Sequence, residues 1–138
     1  MRLIDANVPI YAVGSYHPYR ESCRRLLEIV DEGTHDFLTD SEVLQEVLHV
    51  MHRRGRSSAG FELVSGLQWA LRSIIPIGAA EINAAVGLLR EYPQLDTRDA
   101  VHAAVVQLHG LEGVVSADKA FDVVRGLTRF DPLYMLHG

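Results

Sequence analysis

Short apolar runs, Leu3-Ile4, Phe37-Leu38, Ile74-Ile75 and Val114-Val115, alternate along this chain with longer stretches whose apolar residues recur at helical spacing. That alternation constrains the fold more than any other feature. Buried strands separated by helices predict an α/β fold with a mostly parallel sheet, because parallel neighbours need a crossover and bury both faces. The first strand reads as Arg2 to Ile4, after which Asn7 is the expected N-cap of a helix with Pro9 in its first turn. A helix fits Tyr19 to Glu32, with Gly33 as its stop. Phe37-Leu38 is a strand, and Thr39-x-x-Glu42 then resembles a capping box opening a helix that Gly55 ends. Further helices are expected over Ser57 to Leu71, Ala79 to Tyr92 and Arg98 to His109. Strands are expected over Ser73 to Ile77, Val114 to Ser116 and Leu127 to Phe130.

No repeat, low-complexity tract or linker interrupts the pattern, so 138 residues read as one domain over 1–138. With 48% hydrophobic residues the chain can build a core. The net charge of -5 argues against coating duplex nucleic acid by bulk positive charge. The lone Cys23 forms no internal disulfide and suits a reducing compartment, and the chain reaches Asp5 before any signal-length apolar stretch. No run approaches the roughly 20 apolar residues of a membrane span. A cytoplasmic protein is the expectation.

The acids fall where such a fold would use them. Asp5 follows the first strand, and Asp118 follows the Val114-Val115-Ser116 strand after one residue. Ligands of open parallel sheets bind outside the carboxyl ends of the strands, so both carboxylates would enter one crevice. Each alone is equally an acid favouring a helix N-terminus. Glu46 sits mid-helix among Val43, Leu44, Val47 and Val50, either leaning inward or at the surface beside Gln45. Asp99 opens its helix in Arg98-Asp99-Ala100-Val101-His102, where an acid complements the helix dipole and still remains free to bind a ligand.

Four segments occur in order: Asp5-Ala6-Asn7-Val8, Glu46 within Val43-Leu44-Gln45-Glu46-Val47-Leu48, Arg98-Asp99-Ala100-Val101-His102-Ala103-Ala104, and Val115-Ser116-Ala117-Asp118-Lys119-Ala120-Phe121-Asp122. Together they resemble the PIN-domain ribonucleases over essentially the whole chain, and in size the VapC toxins of VapBC toxin–antitoxin pairs. Ala6 stands where the family usually carries Thr, which removes a hydroxyl and no ligand. The resemblance implies a PIN-like α/β/α sandwich and a Mg2+- or Mn2+-dependent endoribonuclease. It implies that Asp5, Glu46, Asp99 and Asp118 form the acidic tetrad, with Asp122 a helper and Ser116 and Asn7 supporting the site. It further implies an RNA substrate, a VapB-like antitoxin and a homodimer.

The chemistry suits those residues. Water attacking a phosphodiester needs activation and charge neutralisation, and hard cations held by carboxylates supply both. Glu46 is open to two roles, ligand or general base. Arg53, Arg54 and Arg56, or Tyr16, Tyr19 and Arg20, are candidates for RNA contacts, since guanidinium planes and rings stack on unpaired bases. The Arg cluster reads more readily as a cationic helix C-terminus before Gly55, and Tyr16-His17-Pro18-Tyr19 equally as a helix entry. Other readings compete. Glu46-x-x-His49 and Asp99-x-x-His102 have the spacing of di-iron ligands, but that site needs a four-helix core; His49 and His102 are then packed or surface residues. A receiver-like phosphoacceptor would use Asp5 with Lys119. A non-catalytic PIN-like module binding RNA or a partner is the third.

Overall fold

In a computed structural model, residues 1–32, 36–71 and 73–135 are described. Gly33, the expected helix stop, lies outside them. Strand β1 (Arg2–Ile4) leads into α1 (Asn7–Val13) and α2 (Arg20–Asp31), and β2 (Phe37–Asp40) into α3 (Ser41–Arg53) and α4 (Ser57–Leu71). β3 (Ile74–Ile75) is followed by α5 (Ala79–Glu91) and α6 (Thr97–Leu108). β4 (Gly113–Val115), a 3-10 turn (Lys119–Val123) and β5 (Arg129–Phe130) close the fold. The five strands lie in the order β3-β2-β1-β4-β5, every neighbouring pair parallel. The expected parallel α/β sheet is therefore present, with helices on both of its faces.

The strand residues alternate between two cores, as a pleated sheet requires. Ile4, Phe37 and Val115 meet Val8, Leu26, Val30 and Leu67 from α1, α2 and α4. Leu3, Leu38 and Val114 meet Val105, Val106 and Phe121 on the other side. α6 is buried from Ala100 to Val106, and its alanines let it lie close to the sheet. Among the described residues no helix is long and apolar enough to cross a membrane.

The strand order has a direct consequence. From β1 the chain winds outward to β2 and β3, then crosses back to β4 on the other side of β1. β1 and β4 are thus the neighbours at which the winding reverses. A crevice opens between the loops leaving two such strands, and it faces their carboxyl ends. Asp5 leaves β1 and Asp118 follows β4, so the topology delivers both acids to that crevice.

Two capping expectations are corrected. Asn7 is the first helical residue of α1 rather than its cap; Ala6 holds the N-cap position without a side-chain bond. Thr39 does not cap α3. It is fully buried in β2, its hydroxyl donating to the Ile4 carbonyl at 2.8 Å. Asp40 is the N-cap, Oδ1 accepting from the Val43 N–H at 2.9 Å. The cap moves one residue because Thr39 is drawn into sheet pairing, which leaves Glu42 one position short of a capping box. Glu42→Ala is accordingly expected to shift unfolding by no more than about 0.5 kcal/mol, as other surface substitutions do. Denaturant titration of that variant checks the assignment.

Candidate active site

The crevice is a cleft of about 480 Å3 whose walls include Asp5, Glu46, Asp99 and Asp118. All four acids singled out in the sequence thus converge on one place, brought by four separate elements. A larger groove of about 680 Å3 between α2 and α4 is lined by residues such as Leu27, Leu63 and Leu67 and by none of these four. Volume alone would choose that groove; the convergence of acids marks the smaller cleft.

Asp5 is the fixed centre. It is buried, and every one of its hydrogen bonds tightens its hold. Oδ1 accepts from the Ala6 N–H at 2.8 Å, and Oδ2 accepts from the Ser116 hydroxyl at 2.7 Å and from Asn7 Nδ2 at 3.2 Å. Asn7 Nδ2 also reaches Ser116 Oγ at 2.9 Å, while Asn7 Oδ1 accepts from the Ala117 N–H. The Ser116 hydroxyl in turn accepts from the Asp118 N–H at 3.0 Å. Asn7 and Ser116 therefore stitch the β1 loop to the β4 loop and set both carboxylates. A phosphoacceptor needs an open carboxylate; the burial of Asp5 argues against the receiver-like reading.

Asp118 lies at the start of the 3-10 turn and caps it, Oδ1 accepting from the Ala120 N–H at 2.9 Å. Asp99 lies in the first turn of α6, after the N-cap Asp96. Glu46, half-buried on α3, has Arg98 Nη1 3.4 Å from its Oε1. It leans inward. Asp122 stands apart, its carboxylate gripped by the Arg129 guanidinium at 2.9 and 3.2 Å on the exposed side of the turn.

Burial and the crowding of like charges discourage ionisation. Burial holds the Asp5 carboxyl above its ordinary range, opposed by the His102 charge and its hydrogen bonds to Ser116 and Ala6. Burial, then the Asp5 charge, raises Glu46. Asp99 is pushed up to about 7 by burial and by the charges of Asp5, Asp118 and Asp96.

Two residues central to this arrangement were not singled out for it in the sequence. His102, expected to be packed or at the surface, is fully buried on α6, and what it packs against is the site. Its Nδ1 lies 2.7 Å from Asp40 Oδ2, and its Nε2 lies 3.7 Å from Asp5 Oδ1 with no hydrogen-bond partner among the described residues. Burial alone would lower the imidazole pKa; the Asp40 hydrogen bond and the charges of Asp40, Asp5 and Glu46 outweigh it and hold it at about 9. Asp40 serves twice, capping α3 with one oxygen and holding His102 with the other. The i, i+3 spacing of Asp99 and His102 on one helix face was the available signal. His49 is exposed.

Of the cationic and aromatic residues expected to meet RNA, Arg54 reaches the cleft wall, where Tyr11 and Lys119 join it. Arg56 instead donates to the Val13 carbonyl, and the Tyr19 hydroxyl to Asp131 at 2.9 Å. Tyr16 is 85% exposed.

The PIN domain family model matches residues 2–127. Ribonuclease VapC13 of Mycobacterium tuberculosis is 35% identical over 132 residues, 94% of this chain and 98% of that protein. Among solved structures, the sarcin–ricin loop cleaving toxin VapC20 of Mycobacterium tuberculosis matches with a TM-score of 0.73 at 16% identity, covering 93% of this chain and 97% of its own. A toxin–antitoxin complex from Klebsiella pneumoniae contains a chain matching with a TM-score of 0.68 at 21% identity, over 96% of this chain and 98% of that one. The structural likenesses bear on the fold, and the sequence match over nearly the whole length bears on descent. With the order of the acidic segments and the cleft they build, this chain belongs to the PIN-domain family, among the VapC ribonucleases.

Proposed function

We propose that this protein is a divalent-metal-dependent endoribonuclease, the toxin of a toxin–antitoxin pair, and that it hydrolyses RNA phosphodiester bonds in the cleft between β1 and β4. The observation that carries this reading is the convergence of Asp5, Glu46, Asp99 and Asp118 there. Burial and neighbouring charge oppose ionisation of Asp5, Glu46 and Asp99, and a bound cation relieves that opposition. Oxygen donors suit Mg2+ or Mn2+, and Asp5, Glu46, Asp99 and Asp118 would hold it. Bound there, such a cation neutralises charge on the phosphate and acidifies the attacking water.

The chain's own residues do the rest. Asn7 and Ser116 keep Asp5 in place, so the site needs little reorganisation when RNA enters. Glu46, its carboxyl raised and its position steadied by Arg98, is placed either to hold the cation or to take a proton from the attacking water. Arg54 and Lys119 supply positive charge on the cleft wall for phosphates flanking the scissile bond, and Tyr11 offers an aromatic surface to an unpaired base. Asp122, paired with Arg129, supports the turn that carries Asp118.

The partner reading is of the same kind. An inhibitor filling this cleft must present a cation to its carboxylates, and an Arg side chain of a VapB-like antitoxin does so. Ile82 and Val86, exposed one turn apart on α5, support a homodimer.

The test is incubation of the purified chain with RNA in EDTA and in millimolar Mg2+ or Mn2+, beside Glu46→Gln. Cleavage is expected only with metal, and Glu46→Gln should lose on the order of 10²-fold, the loss typical when general base catalysis is removed. Undiminished cleavage in EDTA, or by Glu46→Gln, overturns the reading.

A further inference from the structure

A buried ring nitrogen lies against the acidic site. Among the described residues His102 Nε2 is buried with no hydrogen-bond partner, and Asp5 Oδ1 at 3.7 Å is too far to be one. One His102 ring nitrogen, one Asp5 oxygen and one Glu46 oxygen all lie within 4.8 Å of one another. Donors about 2.1 Å from one octahedral cation stand roughly 3 Å apart when adjacent and roughly 4.2 Å when opposite, and the 3.7 Å between Nε2 and Asp5 Oδ1 falls between those values.

The ring is also held as a ligating imidazole is held. Nδ1 lies 2.7 Å from Asp40 Oδ2, and a Nδ1–H donated there directs the remaining nitrogen into the site. A carboxylate behind a histidine is the usual support for metal ligation, because it fixes the tautomer and strengthens the donor. Asp40 is itself immobilised through its other oxygen by capping α3.

We propose that His102 is a direct metal ligand through Nε2, making this a mixed nitrogen–oxygen centre that selects Mn2+ over Mg2+. The proposal rests on the reading of the cleft as a metal site and adds to it a donor and a preference. Mg2+ favours carboxylate, carbonyl and water oxygens, whereas imidazole nitrogen suits transition metals. Ligation is an exchange: the cation takes the Nε2 lone pair and any proton there leaves to solvent. His102 then joins α6 to the ion beside Asp99, while Asp40 links α3 to the same ion through the ring.

The test is Mn2+ titrated into the full chain, followed by pulsed EPR. Stoichiometric Mn2+ with nitrogen modulation from one imidazole is expected. Labelling the chain with 15N-histidine should shift those frequencies, a check that needs no variant. His102→Gln should abolish the modulation and weaken Mn2+ at least about 10-fold, while Mg2+ affinity falls less. Tightly bound Mn2+ without nitrogen modulation in the wild type overturns the His102 assignment and leaves the acidic metal site standing. Absence of any Mn2+ binding overturns both.

Discussion

Asp99→Asn and Asp118→Asn are each expected to lose RNA cleavage by on the order of 10²–10³-fold while remaining folded, and Asp99→Asn should melt above the wild type in EDTA. The loss follows from removing one charged oxygen from a site preorganised around developing charge. Retention of the fold follows from the geometry. Asp118 uses Oδ1 to cap the 3-10 turn, and an asparagine carbonyl accepts the same Ala120 N–H. Asp99 has its carboxyl pushed up to about 7 by burial and by its acidic neighbours, so ionising it opposes folding. Asparagine removes that opposition. A residue that lowers stability while supporting activity is what a functional site predicts, and a structural acid would behave in the opposite way. Melting curves in EDTA and cleavage rates on the same preparations decide between them. Wild-type rates in both variants would remove the tetrad from the mechanism.

The metal-free protein should melt at steadily lower temperature as pH rises from about 5 to 9, and Mn2+ should reverse the trend. Asp99 titrates at 3.8 ordinarily and at about 7 here, so between those values the folded chain holds more protons than the unfolded one. Stability therefore falls as pH rises through that window. Asp5 and Glu46 are raised as well and act in the same direction. His102 is raised from 6.5 to about 9; its contribution is complete below 6.5 and is lost as pH climbs through 9. A divalent cation competes with these protons, so its benefit grows with pH. At 100 times its dissociation constant, a ligand adds about 2.7 kcal/mol, on the order of 5–10 °C for a chain of this size. Thermal scans at pH 5 and pH 8, with EDTA or Mn2+, measure this directly. A metal-free melting temperature that rises between pH 5 and pH 8, or no response to Mn2+ at pH 8, would contradict the clustering of the carboxylates.

What was readable in the chain was whatever rests on neighbours in sequence. Leu3-Ile4 and Val114-Val115 are buried runs, and Asp5 and Asp118 lie just beyond them. Once a parallel sheet is inferred, the two acids must emerge at one edge. Glu46 and Asp99 stood out on their helices with a surface or helix-dipole reading equally open, the ordered family resemblance assigned them to the site, and both line the cleft. The capping of α3 was misread for a local reason: Thr39 and Asp40 both suit an N-cap, and only the pairing of β2 with β1 assigns Thr39 to the sheet.

Sequence periodicity alone thus determined the α/β class, the succession of strands and helices, and the edge of the sheet to which the acids are delivered. Tertiary structure alone decided that the sheet reverses its winding between β1 and β4, which turns two separated acids into one site. It decided that Arg98 steadies Glu46 from 52 residues away and that Asp40 holds His102 from 62 residues away. Such pairs leave no trace in local pattern, because hydrophobic period records which face of an element is buried and says nothing of which polar group will lie opposite it. Only the packing of α3 and α6 around the ends of β1 and β2 brings those groups within bonding distance.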